Sequence, residues 1–175
     1  GNAVLFPADL EGAGPDDYDT MLDSIVSEFG GLTALVHCAA RFDSLTPMEH
    51  ISPADWLGHM QVNLNAAWLL SVKSIPLLRN SGPGRLVFML EDMKKMEGPF
   101  WGAYGVSKQA LKSLVEKFAR ECKAGEIEVR GVDPGPMSTP LRARAYHSEH
   151  PQAQQAPSVV AEQIMSYLNQ HTQRD

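Results

Sequence analysis

Short apolar runs that alternate with long stretches of helical periodicity constrain the fold of this chain more than any other feature of its sequence. Three such runs lie at 32–40, 85–90 and 127–133, and the first two are almost continuous in apolar residues. Runs of this kind are typical of parallel strands that are covered on both faces. A shorter apolar run, AVLF at 3–6, precedes a segment with turn-forming residues, EGAGPDD at 11–17.

The segments between these runs have the signals of helices. Gly30 and Gly31 can close one helix at its C-terminus, because glycine tolerates the backbone conformation found there. Ser52-Pro53-Ala54-Asp55 combines a capping hydroxyl, a proline at the first helical position and an acid near the positive end of the helix dipole. Strands that alternate with helices predict an α/β fold with a doubly wound parallel sheet. The predicted helices cover about 17–29, 52–80 and 103–122, and a last one begins near Ser158.

Length and composition narrow the class of protein. With 175 residues, 43% of them apolar and 21% charged, the chain is predicted to form one globular domain, residues 1–175. A formal net charge of −6 argues against nucleic acid as a partner, and no apolar run is long enough to span a membrane. Cys38 and Cys122 are interpreted as small buried side chains in a reducing compartment, which predicts a cytoplasmic protein.

Ligands of doubly wound sheets bind outside the carboxyl ends of the strands. The predicted strands therefore direct attention to Asp9 and to the segments 37–40, 90–92 and 134–139.

Tyr104 and Lys108 stand four residues apart on a predicted helix that carries an apolar stripe. Lysine is rarely buried without a partner, so its place on the core-facing stripe suggests chemistry. In one interpretation the ammonium lowers the pKa of the tyrosine from its usual value near 10, which makes Tyr104 a general acid–base. In the other, a lysine that reaches toward solvent simply lies beside a packed tyrosine. The stripe consists of Tyr104, Lys108, Leu111, Val115, Phe118 and Cys122.

Asn63 interrupts the apolar stripe of the preceding helix. A buried asparagine must find hydrogen-bond partners. It is either a satisfied core amide or a member of a polar network, and Lys108 is the expected member to share that network. The stripe consists of Trp56, Met60, Asn63, Ala67 and Leu70.

Five motifs, in this order along the chain, resemble those of the short-chain dehydrogenase/reductase family. They are PADL at 7–10, LVHCAA at 35–40, MQVNLNAAW at 60–68, YGVSK at 104–108 and VDPGPMST at 132–139. The resemblance covers essentially the whole chain and implies a Rossmann-like fold. It also implies hydride transfer between NAD or NADP and a small carbonyl or alcohol substrate.

The family's site residues carry over to matching positions of this sequence. Tyr104 would exchange a proton with the substrate oxygen, while Lys108 would lower the tyrosine pKa and bind the nicotinamide ribose. Asn63 would hold a water of the proton relay. The segment 140–156 would form a mobile loop on the substrate side. The residues expected to contact the cofactor are Asp9, Leu10, Ala39, Lys108, Pro134, Gly135 and Thr139.

One departure from the family pattern affects catalysis directly. The family's catalytic serine precedes the tyrosine by thirteen residues, and that position is Glu91 here. An ionised carboxylate can only accept a hydrogen bond, and its charge would raise the pKa of a neighbouring tyrosine. Glu91 is expected to turn outward with Lys94 and Lys95 as a solvated loop; the other reading is a protonated, inward carboxyl group.

Two further departures concern the cofactor side. The family's first strand and glycine-rich phosphate turn are not found, so the sheet is expected to be incomplete at the N-terminus and also at the C-terminus. Gly12-Ala13-Gly14 is interpreted as an ordinary turn, since two acids follow it. His37 is expected to be a packed strand residue rather than a base. His147 and His150 are expected to lie on the surface, and no metal site is predicted.

Three functional readings follow. The first is an NAD(P)-dependent oxidoreductase with an altered or impaired active site. The second is a catalytically silent protein that retains the fold and binds a dinucleotide. The third is an assembly subunit, since helices equivalent to 53–80 and 103–122 join subunits in this family; a homodimer or homotetramer is then expected.

Overall fold

The sheet of this protein, seen in a computed structural model that describes residues 3–122 and 125–169, has three parallel strands. The strands are β1 (Ala34–His37), β2 (Gly84–Met89) and β3 (Ile127–Val132), and they lie side by side in that order. The predicted α/β class with a parallel sheet is confirmed. The helices are α1 (Pro15–Phe29), α2 (Pro53–Met60), α3 (Ala66–Asn80), α4 (Met93–Met96), α5 (Gly102–Glu121), α6 (Pro140–Ala145) and α7 (Pro157–Asn169).

Strand β2 is covered on both faces, as its apolar sequence predicts. Leu86 and Phe88 are fully buried against the apolar faces of α3 and α5. Arg85 points to the opposite face, where its Nη1 donates a hydrogen bond of 2.6 Å to the carbonyl of Leu168 in α7. Helices on both faces of one sheet make the fold doubly wound.

The helix predicted over 52–80 contains a wide turn. The Ser52 hydroxyl accepts a hydrogen bond from the Asp55 N–H and caps α2 as expected. Between α2 and α3, the residues Gln61–Asn65 form one π-helical turn, in which the Ala66 N–H donates to the carbonyl of Gln61 five residues earlier. Asn63 lies in this turn, and π turns often occur at functional sites.

Two features of the helices agree with the sequence predictions: the end of α1 and the buried stripe of α5. Gly30 ends α1 with a φ of 79°, which is the left-handed conformation that glycine adopts at low cost. On α5, the predicted stripe from Tyr104 to Phe118 is buried, and Lys108 is buried with it.

The AVLF run forms no strand, and Leu5 is 94% exposed, because no strand of the described residues pairs with it. Two expectations about local structure are wrong. Cys38 is exposed rather than buried, since it lies just past the end of β1, where the backbone leaves the sheet. The segment 140–156 contains α6 and a short 3-10 helix (Pro151–Ala153) instead of a plain loop.

No helix within the two described segments is both long enough and apolar enough to cross a membrane.

Candidate active site

The ends of β2 and β3 border a cleft of about 160 Å³ next to α5. Tyr104 forms one wall of the cleft, and Glu91 and Asp92 follow the end of β2. The predicted cofactor residues Pro134, Gly135 and Thr139 follow the end of β3 and line the same cleft. The strand ends therefore bring together the residues that the sequence directed attention to on this side.

Glu91 faces into this cleft and not outward. The Tyr104 hydroxyl donates a hydrogen bond of 2.6 Å to its Oε1, so the expected outward orientation is wrong. The reason lies in α4, which begins two residues later and is capped by the Asp92 side chain. This helix carries Lys94 and Lys95 to the surface and leaves Glu91 at the strand end, where its side chain projects toward α5.

The pKa of Tyr104 is raised, not lowered as the sequence suggested. Burial is the larger cause, because Tyr104 is only 2% exposed, and the charge of Glu91 with its hydrogen bond adds to it. The phenol is therefore a firmly held proton donor in this arrangement.

Lys108 lies beside Tyr104 but does not bond to its hydroxyl. Its Nζ donates a hydrogen bond of 2.8 Å to the carbonyl of Met89 and lies 6.0 Å from the centre of the tyrosine ring. Burial lowers the pKa of Lys108, while the charge of Glu91 opposes that shift. The carbonyl of Met89 fixes the ammonium at the end of β2, which is the place where a ligand at the strand ends would meet it.

An aromatic wall that the sequence analysis did not assign closes the other side of the cleft. Trp101 lies 6.0 Å from Tyr104 and 5.8 Å from Tyr146 between ring centres, and Phe42 packs edge-on against Tyr104 at 5.1 Å. Ala145 of α6 packs into the same cluster. Phe42 and Tyr146 come from segments distant from Trp101 and Tyr104, so no periodicity in the sequence could have joined all four.

Asn63 is a satisfied core amide and shares no bond with Lys108, contrary to the predicted network. Its Oδ1 accepts from the Arg41 N–H at 2.7 Å, and its Nδ2 donates to the Arg41 carbonyl at 3.0 Å and to the Ser107 hydroxyl at 2.9 Å. Asn63 thus ties the loop after β1 to α5 next to Tyr104. Its expected role in holding a relay water stays a prediction.

Three other predicted cofactor residues, Asp9, Leu10 and Ala39, line a second cleft of about 490 Å³ on the other side of α6, together with Val62. Leu141 of α6 borders both this cleft and the one that contains Tyr104. The two groups of predicted cofactor residues therefore lie on either side of one short helix.

The turn at Gly12–Gly14 does not form a phosphate cradle. The Gly14 N–H, which an anion at this helix end would need, donates a hydrogen bond of 2.8 Å to the Asp17 carboxylate. Asp16 and Asp17 add negative charge at the same end of α1. The interpretation of this segment as an ordinary turn is confirmed.

His37 packs as a strand residue, as expected. Its Nε2 lies 2.8 Å from the Ser71 hydroxyl and its ring stacks on Phe88, and burial lowers its pKa to about 4. His147 and His150 are exposed, as expected. Within residues 3–122 and 125–169, no group of three or more histidine, cysteine or acidic side chains is arranged to hold a metal ion.

Several known proteins are similar to this chain in sequence. The uncharacterized oxidoreductase YciK of Escherichia coli K12 is 30% identical over 153 residues, which are 87% of this chain and 60% of that protein. A short-chain type dehydrogenase/reductase of Picea abies is 29% identical over 140 residues, which are 79% of this chain and 51% of that protein. The chain thus spans between half and two thirds of the length of these relatives.

Solved structures have the same fold. A short chain dehydrogenase from Salmonella enterica serovar Typhi superposes with a TM-score of 0.88 at 28% identity, over 97% of this chain and 70% of that one. A short chain dehydrogenase from Shigella flexneri, complexed with NADP, superposes with a TM-score of 0.83 at 29% identity, over 93% and 66% of the two chains. The family model described as short chain dehydrogenase matches residues 1–150. With this match and the site geometry in agreement, the chain belongs to the short-chain dehydrogenase family.

Proposed function

We propose that this chain carries the catalytic side of an NAD(P)-dependent oxidoreductase that acts on a small carbonyl or alcohol, with an active site altered at Glu91. The observation that carries the proposal is the placement of Tyr104 and Lys108. Both are buried on one face of α5: Tyr104 lines a cleft of the size of a small ring at the ends of β2 and β3, and Lys108 bonds the Met89 carbonyl at the end of β2.

The residues on the two sides of α6 fit a dinucleotide. Asp9, Leu10 and Ala39 offer a carboxylate and an apolar surface for the adenosine end. At the other end, Gly135 has a φ of 68° and nothing but the Gln155 amide nitrogen near the place of a Cβ, so a flat ring can approach the backbone there. The NADP complex of the Shigella relative supports the same class of cofactor.

Each residue then has a role that its environment allows. A bound nicotinamide would supply or accept the hydride. Tyr104 holds the proton that the substrate oxygen needs, and burial keeps the tyrosine protonated. Lys108, fixed by the Met89 carbonyl, would bind the nicotinamide ribose with its remaining hydrogens. Thr139 caps α6 with its hydroxyl at the nicotinamide end of the cleft.

Glu91 opposes this chemistry for a neutral carbonyl. Its Oε1 already accepts a hydrogen bond of 2.6 Å from the Tyr104 hydroxyl, and a carboxylate cannot donate to the substrate oxygen. Loss of one donor of this kind costs about 10²–10³ in rate. We therefore expect slow turnover of neutral ketones and alcohols by the native chain.

The test combines cofactor binding and turnover. NADH and NADPH are titrated by fluorescence, and reduction of a small cyclic ketone is then followed in the native chain, Glu91→Ser and Tyr104→Phe. The proposal expects saturable cofactor binding in all three and the fastest turnover in Glu91→Ser, with Tyr104→Phe inactive. Activity that does not change in Tyr104→Phe would refute Tyr104 as the acid–base, and no binding at millimolar cofactor would refute the oxidoreductase.

The hydrogen bond between Tyr104 and Glu91 also favours a second candidate, a catalytically silent protein that binds the dinucleotide. In that case the cofactor binds, the native chain turns nothing over, and only Glu91→Ser gains activity. Turnover by the native chain excludes this candidate.

A homodimer or homotetramer stays part of the proposal. Trp68 and Val72 on α3 are 47% and 41% exposed, and Val106 on α5 is 38% exposed, on the two helices expected to join subunits. Sedimentation at several concentrations tests this, since a monomer at every concentration would refute it. A cytoplasmic location stays a prediction from the sequence.

A further inference from the structure

The cleft beside Tyr104 has an unusual charge for a site that would receive a neutral carbonyl. Three carboxylates line it, from Glu91, Asp92 and Asp133. Two cations also line it: Lys95 lies 3.8 Å from Asp92, one of these three carboxylates, and Arg142 forms two hydrogen bonds of 2.7 Å to the exposed Glu149. The cleft therefore offers more negative than positive charge to a ligand.

Glu91 is the carboxylate closest to the reacting position. Within the described segments 3–122 and 125–169, no lysine, arginine or histidine nitrogen lies within 4.0 Å of its oxygens, and its one hydrogen bond comes from Tyr104. Lys108, the nearest buried cation, is held by the Met89 carbonyl instead. A half-buried carboxylate with a single neutral donor favours a charged donor in its place, because hydrogen bonds to ionised partners are the stronger ones.

The aromatic part of the lining suits a cation as well. Trp101, Tyr104 and Tyr146 line the cleft, and aromatic faces attract ammonium groups. Tyr146 already binds a cation in this way, since the Arg142 guanidinium lies 4.3 Å from its ring centre. The lining of the cleft thus combines carboxylates with aromatic rings.

We propose that the substrate is a small vicinal amino alcohol or amino ketone whose ammonium group binds Glu91 while its oxygen faces Tyr104. This inference rests on the proposed function and specifies its substrate class. The ammonium takes the place of the Tyr104 hydroxyl at Glu91 Oε1, so the tyrosine proton becomes free for the neighbouring substrate oxygen. The acid at position 91 then serves the reaction, since only a substrate that neutralises it releases the tyrosine.

The size of the cleft limits the ligand. A cavity of about 150 Å³ holds a benzene-sized molecule, and this cleft measures about 160 Å³. A six-membered ring with two adjacent substituents is therefore a suitable probe, and trans-2-aminocyclohexanol carries the required ammonium and hydroxyl. Its neutral isostere trans-1,2-cyclohexanediol has the same shape without the charge.

The experiment measures binding of these two probes by calorimetry in the absence of cofactor, so that it does not depend on turnover. We expect the amino alcohol to bind at least about tenfold more tightly than the diol, given the strength of charged hydrogen bonds. Glu91→Gln, which keeps the size of the side chain, should abolish this preference. Glu97→Gln removes the same charge from an exposed position outside the cleft and should preserve it.

The outcomes separate this inference from the proposed function. Equal binding of the two probes, or an unchanged preference in Glu91→Gln, overturns the substrate class even if NADPH binds. A preference for the amino alcohol in a chain that binds no cofactor supports the recognition and overturns the oxidoreductase. Circular dichroism of Glu91→Gln verifies that the variant is folded, and Glu91→Asp serves as a second variant that retains the charge and should retain a preference.

Discussion

Replacing Asn63 by alanine tests whether one amide holds the active-site helix and the loop after β1 together. Asn63 is 2% exposed, and its side chain bonds both backbone groups of Arg41 and the Ser107 hydroxyl. Asn63→Ala removes all three bonds at once. Ser107 retains its bond to the Tyr104 carbonyl, so the main loss falls on the Arg41 N–H and C=O.

The expected loss of stability follows from the unpaired N–H and C=O groups of Arg41. A buried polar group that loses its partner costs about 1–3 kcal/mol, so Asn63→Ala should lower the free energy of unfolding by about 2–4 kcal/mol. At a typical urea dependence of about 2 kcal/mol per molar, the midpoint of urea unfolding falls by about 1–2 M. Far-UV circular dichroism against urea measures it, with an unchanged slope as evidence that the two-state analysis applies.

Asn65→Ala is the matched control. Asn65 lies in the same π turn but is exposed, and its one bond goes to the Gln61 side chain. Removing it should change stability by less than about 0.5 kcal/mol. If Asn63→Ala costs no more than Asn65→Ala, the three hydrogen bonds of Asn63 do not stabilise the protein, and the description of this residue as a structural tie is wrong.

Two further substitutions give separate results. Burial lowers the pKa of His37 from 6.5 to about 4, so the unfolded chain takes up the proton first as the pH falls. The free energy of unfolding therefore decreases between those two pH values, and from pH 7 to pH 5 the loss due to His37 should be about 2 kcal/mol. Urea unfolding of native protein and His37→Gln at both pH values measures it, and an equal pH dependence in the two would contradict the burial of a neutral histidine. Gly30→Ala should lower stability by about 1 kcal/mol, because Gly30 has a φ of 79° and no atom near a new Cβ, so only backbone strain contributes. The midpoint of thermal unfolding measures that cost, and a stabilised variant would refute the left-handed cap.

The sequence predicted the strands and helices of the sheet because their signals are local. The apolar run of β2 reports burial on both faces, and the cap at Ser52 and the stop at Gly30 depend only on residues nearby in the chain. The AVLF run shows the limit of such local signals, since a run of four apolar residues carries no information on whether a neighbouring strand exists.

The sequence identified several residues of the site but not the contacts that they make. Tyr104 and Lys108 were identified by spacing and Glu91 by the family resemblance. The direction of the Glu91 side chain, however, depends on where α4 starts, and that depends on the cap at Asp92. Asn63 was expected to bond Lys108 because both lie on facing stripes. The partner of Asn63 on α5 is Ser107, one residue before Lys108. Periodicity cannot resolve a difference of one residue in register.

The π turn at Gln61–Asn65 affects how this helix tolerates changes in length. Its Ala66 N–H reaches back five residues, so the turn holds one residue more than a regular helix of the same rise. Deleting Asn65 would let the helix close with ordinary spacing, and Ser71 and Ser74 would keep facing the interior. The same deletion made within α3 would rotate everything after it by about 100° and turn exposed side chains such as Val72 toward the sheet. This helix can therefore lose a residue beside Asn63 without losing the alignment of the segment that follows.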